Sequence, residues 1–293
     1  MTLNKIQART LVRKKGKISV VIPAHNEAET IAQAIADARL GLDMLKAPGE
    51  VVVSASGCTD GTADVASEHG AKVVISPIGK GAAIKEGVRQ SVGDVICLVD
   101  GDLTYYGPIP LVALLVEPIL AGIADATISD LYWRPIFPDQ WFNAFFAPLA
   151  GRLFPEMLAK AGSTPWSGQR AAARSLWPEK LPDNFTVDLA LVLHWNWHAD
   201  RFRPVPADDW FNPIRPKPEL LAMDYDLLVR AAIAHGRTTP DMRPYLDQWF
   251  SVVQDLVDGY DEKVHNPREY EAAALERSLA ELRTQLAGRS GQR

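Results

Sequence analysis

The alternation of strand and helix patterns in the first hundred residues is the feature that most constrains the fold. Short runs rich in β-branched residues are separated by stretches with apolar residues three and four positions apart, the spacing of a helix. The predicted strands are residues 17–23, 50–54, 71–75 and 94–99. Strands that alternate with helices of about ten residues predict an α/β fold with a largely parallel sheet and right-handed crossovers.

The fourth predicted strand ends in two carboxylates, Asp100 and Asp102, with Gly101 between them. Ligand sites in open α/β sheets lie just beyond the carboxyl ends of strands, so we expect both acids at the mouth of such a crevice. Gly101 would let the backbone turn so that both carboxylates address one hard cation, Mg²⁺ or Mn²⁺. Taken alone, these residues also fit a strand-end turn with solvated acids.

Composition narrows the functional classes. The 293 residues are 47% hydrophobic and 23% charged, as expected for a globular protein, and a net charge of −5 offers no basic surface for nucleic acid. Cys58 and Cys97 supply no disulfide framework, which favours a reducing, cytoplasmic location. Residues 1–17 lack a secretory-signal pattern. The most apolar span, residues 108–128, is interrupted by acids and a proline, so no stable membrane insertion is predicted.

Four motifs lie at the ends of the predicted strands. They are V-V-I-P-A-H-N-E-A-E-T-I, S-G-C-T-D-G-T-A, G-K-G-A-A-I and V-D-G-D-L. In this order and spacing the chain resembles the family-2-like nucleotide-sugar glycosyltransferases, which have the GT-A fold. Y-W-R-P at 132–135 and P-W-S-G-Q-R-A-A-A-R at 165–174 resemble, more narrowly, the glucosyl-3-phosphoglycerate synthases. The resemblance covers residues 17–220 and implies a Rossmann-like, mixed sheet that binds a nucleotide sugar.

The resemblance implies a donor site at the strand ends. Asn26 and Glu27 match nucleoside-binding positions, although a helix N-cap followed by an acid would explain both equally well. Lys80 matches a lysine that contacts phosphate, and its flanking glycines would let the backbone approach an anion. Residues 54–56, Ser-Ala-Ser, replace the acids that help the family read the base, so UDP and GDP both remain open. The predicted donor-binding residues are Pro23, Ala24, Asn26, Glu27, Ser56, Lys80, Asp100 and Gly101.

The resemblance also implies a divalent metal, Mg²⁺ or Mn²⁺. Asp102 would bind it directly, and Asp100 would hold either the metal or the donor ribose. The family supplies a further histidine ligand, but this chain has no histidine between His198 and His235. The oxygen ligands available there are Asp208, Asp209 and Asn212. The predicted metal site consists of Asp100, Asp102 and Asp209.

The predicted catalytic residues are Asp102 and Asp188. Asp188 matches the position of a family carboxylate near the reacting sugar, and an acid in the first turn of a helix is the equal alternative. Lys80 and the metal would together stabilise the leaving diphosphate. The resemblance implies a retaining reaction without a dedicated general base, in which a donor phosphate oxygen takes the acceptor proton.

Residues 163–170 correspond to the acceptor-binding loop of the resembled enzymes, and we predict a turn followed by a helix. Where the family has a Gly-Gly-Glu-like run, this chain has Ser-Gly-Gln at 167–169, which leaves the acceptor open. Arg170 would either clamp an anionic acceptor or lie solvated on a helix surface. The predicted acceptor-binding residues are Trp166, Ser167, Gly168, Gln169 and Arg170.

The last part of the chain is predicted to be helical, over residues 219–235, 243–258 and 267–287. Leucines recur there at spacings of four, three and four, and this short seam would either close a homodimer or pack back on the catalytic domain. The leucines are Leu275, Leu279, Leu282 and Leu286. The predicted organisation is an N-terminal segment (1–16), a GT-A catalytic domain (17–215) and a helical C-terminal extension (216–293).

These features predict a metal-dependent, retaining hexosyltransferase. It would move a sugar from a UDP- or GDP-linked donor to a small hydroxylated acceptor such as 3-phosphoglycerate. A polyprenyl-phosphate glycosyltransferase is an alternative, but it would want an apolar or basic amphipathic segment near the C-terminus, which is not evident. A non-catalytic regulator that binds a nucleotide sugar is a second alternative.

Overall fold

The computed structural model describes residues 16–131, 141–208, 210–211 and 218–287. The strands are β1 Ile18–Ala24, β2 Gly49–Ser56, β3 Lys72–Ser76, β4 Val95–Leu98, β5 Thr104–Tyr105, β6 Ala126–Asp130, β7 Arg170–Ala173, β8 Phe202–Pro206 and β9 Trp210–Phe211. The α-helices are α1 Ile31–Leu45, α2 Thr62–Glu68, α3 Lys80–Gln90, α4 Leu111–Leu120, α5 Ala147–Leu153, α6 Pro155–Ala161, α7 Val187–His198, α8 Pro218–Ala234, α9 Arg243–Asp258 and α10 Pro267–Ala287. A π-helical segment, Trp141–Phe146, leads into α5.

Within the described residues, the central sheet has seven strands in the order β3-β2-β1-β4-β7-β6-β8. β1 is parallel to β2 and β4, and β2 is parallel to β3. β7 is antiparallel to β4 and β6, whereas β8 is parallel to β6. β5 and β9 form a separate antiparallel pair. Strand order reverses between β1 and β4, which is the point where open α/β sheets form a ligand crevice.

Both faces of the central sheet are buried. Ile18, Val20 and Ile22 of β1 pack with α1 and α4 on one face. Val21 points to the other face, where α3 and the later helices build a second core. Because each face is covered by helices, the strands are nearly continuous apolar runs rather than alternating ones. The predicted mixed α/β fold is therefore confirmed, and the four sequence-predicted strands are β1 to β4.

The stretch after residue 169 differs from the prediction. Arg170–Ala173 forms β7 instead of a helix, although alanine is a strong helix former. Ala171 and Ala172 are fully buried, and β7 is hydrogen-bonded to β4 on one side and β6 on the other. Pairing with two strands satisfies the backbone groups on both sides, so the tertiary setting outweighs the local preference.

The C-terminal helices share a core with the sheet. Trp249 of α9 stacks on Phe145 with ring centroids 6.3 Å apart, and its Nε1–H donates to the Ser278 carbonyl of α10 at 3.0 Å. Leu282 of the leucine seam is 3% exposed, and Leu286 packs against the same core, so the seam packs back on the chain. None of the helices in the described residues is long and apolar enough to span a bilayer.

We predict that Trp249→Ala lowers the free energy of unfolding by about 3–5 kcal/mol, because it leaves a large cavity between α9, α10 and the π-helical segment. Urea denaturation measures the change. Tyr106→Ala is the control, since Tyr106 is 64% exposed and its loss should cost less than about 0.5 kcal/mol. Equal stability of the two variants would contradict a shared core.

Candidate active site

Four charged side chains meet at the carboxyl edge of the sheet, and each comes from a different element. Lys80 is the first residue of α3, Asp100 follows β4, Arg170 begins β7, and Asp188 lies in the first turn of α7. Asp188 is therefore a helix N-terminal acid that also belongs to this cluster, and its role near the reacting sugar stays a prediction. We call these residues the charge cluster.

Cations and carboxylates alternate in the charge cluster. Lys80 Nζ lies 3.2 Å from Asp100 Oδ1 and 2.9 Å from Asp188 Oδ2. Arg170 Nη2 lies 3.3 Å from Asp188 Oδ1, and Nη1 donates to the Asp188 carbonyl at 2.8 Å. Burial alone would lower the pKa of the Lys80 ammonium, but the charges of Asp100 and Asp188 outweigh this effect and raise its pKa. Lys80 therefore stays charged over the physiological range.

The position of Arg170 requires a correction. Arg170 is 0% exposed and begins a strand, so a solvated arginine on a helix surface is wrong. A direct clamp on an acceptor does not fit this arrangement either, because the guanidinium donates to Ser167 and Asp188 of its own chain. Burial lowers the pKa of Arg170, yet a guanidinium keeps its charge in proteins. Arg170 thus holds Asp188 in place.

Asp100 is held by the loop before β7. The Gln169 side chain donates from Nε2 to Asp100 Oδ2 at 2.7 Å and accepts from the Asp100 N–H at 2.9 Å. A Cβ on Gly168 would overlap the Asp100 carboxylate, and a Cβ on Gly101 would overlap Glu27 Oε2. Both glycines are therefore needed for close approach. The side chain of Gln169 faces Asp100 rather than open space, which the motif did not predict.

The turns after β1 and β2 are tied to each other. Asn26 has a φ of +56°, and its Oδ1 accepts from the Thr59 N–H at 2.8 Å. The Glu27 N–H donates to Thr62 Oγ1 at 2.8 Å. α1 starts only at Ile31 and has no acid in its first turn, so the alternative in which Asn26 and Glu27 simply begin a helix is wrong. Pro23 and Ala24 end β1 beside this turn.

The Gly-Lys-Gly turn is shaped by the protein itself. Ser56 Oγ donates to the Pro77 carbonyl at 2.8 Å and accepts from the Gly79 N–H at 2.9 Å. A Cβ on Gly81 would overlap the carbonyl of Pro182. Gly81 therefore leaves room for the backbone that precedes α7. From the sequence, the flanking glycines were expected to let the backbone approach an anion. Lys80 is positioned by this packing.

The acceptor loop, residues 163–170, is bonded to the end of β6. The Ser163 N–H donates to Asp130 Oδ1 at 3.1 Å, and Thr164 Oγ1 donates to the Ser129 carbonyl at 2.7 Å. The hydroxyls of Ser129 and Ser167 lie 2.6 Å apart. The loop is consequently fixed along its length, at the edge of the charge cluster.

The candidate metal ligands are hard oxygen donors, which fit Mg²⁺ or Mn²⁺. Asp102 lies half-buried two residues beyond Asp100. Asp209 and Asn212 lie outside the described residues, as does the Y-W-R-P motif, whereas Asp208 lies beside Gly107. Among the residues that the structure describes, no three His, Cys, Asp or Glu side chains form a ready metal site. The third ligand stays a prediction.

Residues 19–174 match the family model "Glycosyl transferase family 2", and they make up more than half of the chain. The chain therefore belongs to glycosyl transferase family 2, as its motifs predicted.

Among its relatives, the chain is similar to glucosyl-3-phosphoglycerate synthase of Mycobacterium tuberculosis, with 33% identity over 180 residues that cover 54% of each chain. Glycosyltransferase AglJ of Haloferax volcanii is 39% identical over 168 residues, which cover 54% of this chain and 50% of that protein. The chain spans about half the length of these relatives.

Solved structures of the M. tuberculosis synthase are also similar. Its complex with Mn²⁺, UDP-glucose and phosphoglyceric acid has a TM-score of 0.59 and 27% identity, over 76% of this chain and 79% of that chain. Its complex with Mg²⁺ and UDP has a TM-score of 0.58 at the same identity and coverage.

Sequence reasoning missed Asp224 of α8, which accepts from Trp166 Nε1–H at 2.8 Å. A signal was present, because Asp224 lies three residues after Leu221 and four before Leu228, both of which are buried. An acid at a core position of a helix needs a specific partner. The helical spacing alone could not identify that partner.

We predict that Arg170→Met lowers the free energy of unfolding by about 3–5 kcal/mol, because it removes a partner from a buried carboxylate. The double variant Arg170→Met/Asp188→Asn should be more stable than this single variant. Arg201→Met is the control, since its pair with Asp125 is 42% exposed on the arginine side and should contribute less than about 1 kcal/mol. Unchanged stability of Arg170→Met, with a raised acceptor KM, would instead indicate direct acceptor binding.

Proposed function

We propose that this chain is a retaining hexosyltransferase that moves glucose from UDP-glucose to a small phosphorylated hydroxy acid of the 3-phosphoglycerate type, with Mg²⁺ or Mn²⁺. The observation that carries the proposal is the charge cluster at the crevice between β1 and β4. The UDP-glucose and phosphoglyceric acid bound to the similar M. tuberculosis enzyme support the choice of donor and acceptor.

On the donor side, the turn after β1 would hold the nucleoside and Lys80 the phosphates. The nucleoside residues are Pro23, Ala24, Asn26 and Glu27, with Ser56 ordering the neighbouring turn. Lys80 is fixed by two carboxylates before any donor arrives, so its charge needs little reorganisation when a diphosphate develops. Asp100 and Gly101 would complete the donor site beside it.

The metal would be held by Asp102 directly, with Asp100 and Asp209 nearby. When bound, Mg²⁺ or Mn²⁺ supplies Lewis-acid stabilisation of the leaving diphosphate. The pairing of Asp100 with Lys80 and Gln169 makes Asp100 a fixed neighbour of the site.

Asp188 would act on the reacting sugar. Its carboxylate is paired with Lys80 and Arg170, and it would place negative charge beside an oxocarbenium-like sugar. The acceptor proton would pass to a phosphate oxygen of the donor. This arrangement fits retention at the anomeric carbon.

The acceptor would bind against the acceptor loop and the start of β7. Gly168 lies against the Asp100 carboxylate, and Trp166 and Ser167 directly precede it in the loop. Gln169 and Arg170 would act here by holding Asp100 and Asp188. We propose residues 17–215 as the catalytic unit and 216–293 as the helical extension that supports it.

The direct test is transfer by purified protein from UDP-, GDP- or ADP-glucose to 3-phosphoglycerate, glycerate or glycerol 3-phosphate. We expect glucosyl-3-phosphoglycerate from UDP-glucose, detected by mass spectrometry, with an α-anomeric coupling in the NMR spectrum. EDTA and Asp102→Asn should each lower turnover by at least about 100-fold. Asp43→Asn, which removes an exposed acid on α1, is the control. Full activity in EDTA would contradict the metal role, and a β-linked product would contradict retention.

We also predict that Lys80→Met weakens UDP binding by roughly 10- to 100-fold while uridine binding stays within about twofold, because the ammonium addresses only phosphate. Calorimetry with both ligands measures this difference. Lys85→Met, five residues along α3, is the matched control. Equal losses for UDP and uridine would mean that Lys80 shapes the site without contacting phosphate.

A further inference from the structure

Asp224 is a buried acid that the proposed chemistry does not use. It lies on α8 and is 0% exposed. Its Oδ2 accepts from the indole N–H of Trp166 at 2.8 Å, whereas Oδ1 has no hydrogen-bond partner among the described residues. Burial raises the pKa of Asp224 to about 8, against the smaller opposite effect of the Trp166 bond. A buried acid of this kind needs a structural or functional reason.

Trp166 of the acceptor loop packs against the hydrophobic core. Its ring contacts Trp141, Phe145 and Phe146, with centroids 5.8, 6.5 and 5.4 Å away. These contacts fix where the ring lies, but apolar contacts are not directional. The bond to Asp224 is directional and sets the orientation of the indole.

The residues that follow Trp166 in the loop contact the charge cluster. Ser167 follows directly, and its carbonyl accepts from Arg170. Gly168 is packed against the Asp100 carboxylate, and Gln169 is bonded to Asp100 at two points. Only Ser167 separates Trp166 from Gly168, so the position of Trp166 is coupled through one residue to the backbone beside Asp100.

We propose that Asp224 is a positioning residue for acceptor binding, which acts from the helical extension by holding the Trp166 indole and with it the acceptor loop. This proposal rests on the proposed function, because it assigns residues 163–170 to the acceptor. The C-terminal helices then contribute to acceptor affinity through one hydrogen bond, in addition to covering the sheet.

We expect substitutions of Asp224 to change the KM for the acceptor and to leave the affinity for the donor nucleotide unchanged. Asp224→Leu keeps the approximate size but leaves the indole N–H without an acceptor, so the KM for 3-phosphoglycerate should rise about tenfold. Asp224→Asn retains an oxygen that can accept this bond, and KM should stay within about twofold. The dissociation constant for UDP should stay within about twofold in both variants.

A double-mutant cycle measures the coupling between Asp224 and Trp166. Trp166→Phe keeps the aromatic packing but has no N–H to lose, so adding Asp224→Leu to it should change KM by less than about twofold. Tyr225→Phe is the matched control, because it removes a hydrogen bond of the neighbouring residue on α8 that runs to Asp247 of α9 at 2.7 Å. It should lower Tm without changing the acceptor KM.

Two outcomes would overturn the proposal. One is a rise in KM for Asp224→Asn as large as that for Asp224→Leu, which would mean that the bond to Trp166 is not what matters. The other is an additive cycle, in which Asp224→Leu has its full effect on the Trp166→Phe background. A loss of UDP binding equal to the loss of acceptor affinity would count against it as well, because it indicates general disruption.

A measurement without turnover separates this proposal from the proposed function. In ¹⁵N-tryptophan spectra, the indole resonance missing from Trp166→Phe identifies Trp166. Its hydrogen exchange should be at least about tenfold faster in Asp224→Leu than in the wild type and Asp224→Asn. If no donor is turned over, the proposed function fails while this result still tests the bond. Unchanged hydrogen exchange of the Trp166 indole in Asp224→Leu would overturn the proposal that Asp224 holds this side chain.

The pH dependence of stability gives one more check. Asp224 is flanked by the Trp166 indole and feels the charge of Asp188. Its folded pKa of about 8 lies above the ordinary 3.8, so its protonated form stabilises the fold at low pH. The Tm of the wild type relative to Asp224→Asn should therefore fall as pH rises from 4 to 8. Parallel curves would contradict the raised pKa of Asp224, whereas the bond to Trp166 is decided by the exchange and KM measurements.

Discussion

The buried pairing of Lys80, Asp100, Asp188 and Arg170 is the interaction on which the rest of the site depends. Each charge would be costly to bury alone, and each is tolerated because a neighbour of opposite sign lies within 3.3 Å. Lys80, Asp188 and Arg170 belong to α3, α7 and β7, and Asp100 follows β4. Their ion pairs therefore join four separate elements at one point. The meeting point is the edge where strand order reverses between β1 and β4.

This arrangement also explains why the glycines are needed. Gly168 lets the acceptor loop reach the Asp100 carboxylate, and Gly101 lets Glu27 reach the same turn. Gly81 admits the carbonyl of Pro182 and so brings α7 against α3. In each place a side chain would hold two segments apart by the width of a methyl group. A site for a diphosphate and a sugar is thus assembled by close packing of backbone, which lowers the reorganisation that the reaction requires.

The local part of the fold could be predicted from the sequence, and the long-range part could not. The strand and helix alternation predicted β1 to β4, because periodicity depends on neighbouring residues. The family motifs identified Lys80, Asp100 and Asp188 as candidates, and the structure brings them together. The prediction of a helix at residue 170 was wrong because the helix preference of three alanines is weaker than pairing with the two neighbouring strands, β4 and β6.

The sequence by itself determined the α/β class, the family and the acids at the end of β4, since each follows from patterns within one stretch of chain. Only the tertiary structure decided what those residues contact. Lys80 and Asp188 lie 108 positions apart, and Trp166 and Asp224 lie 58 apart. The partner of Arg170 was also decided by the tertiary structure, which pairs it with Asp188. Contacts over such separations depend on how the layers pack, which no local pattern records.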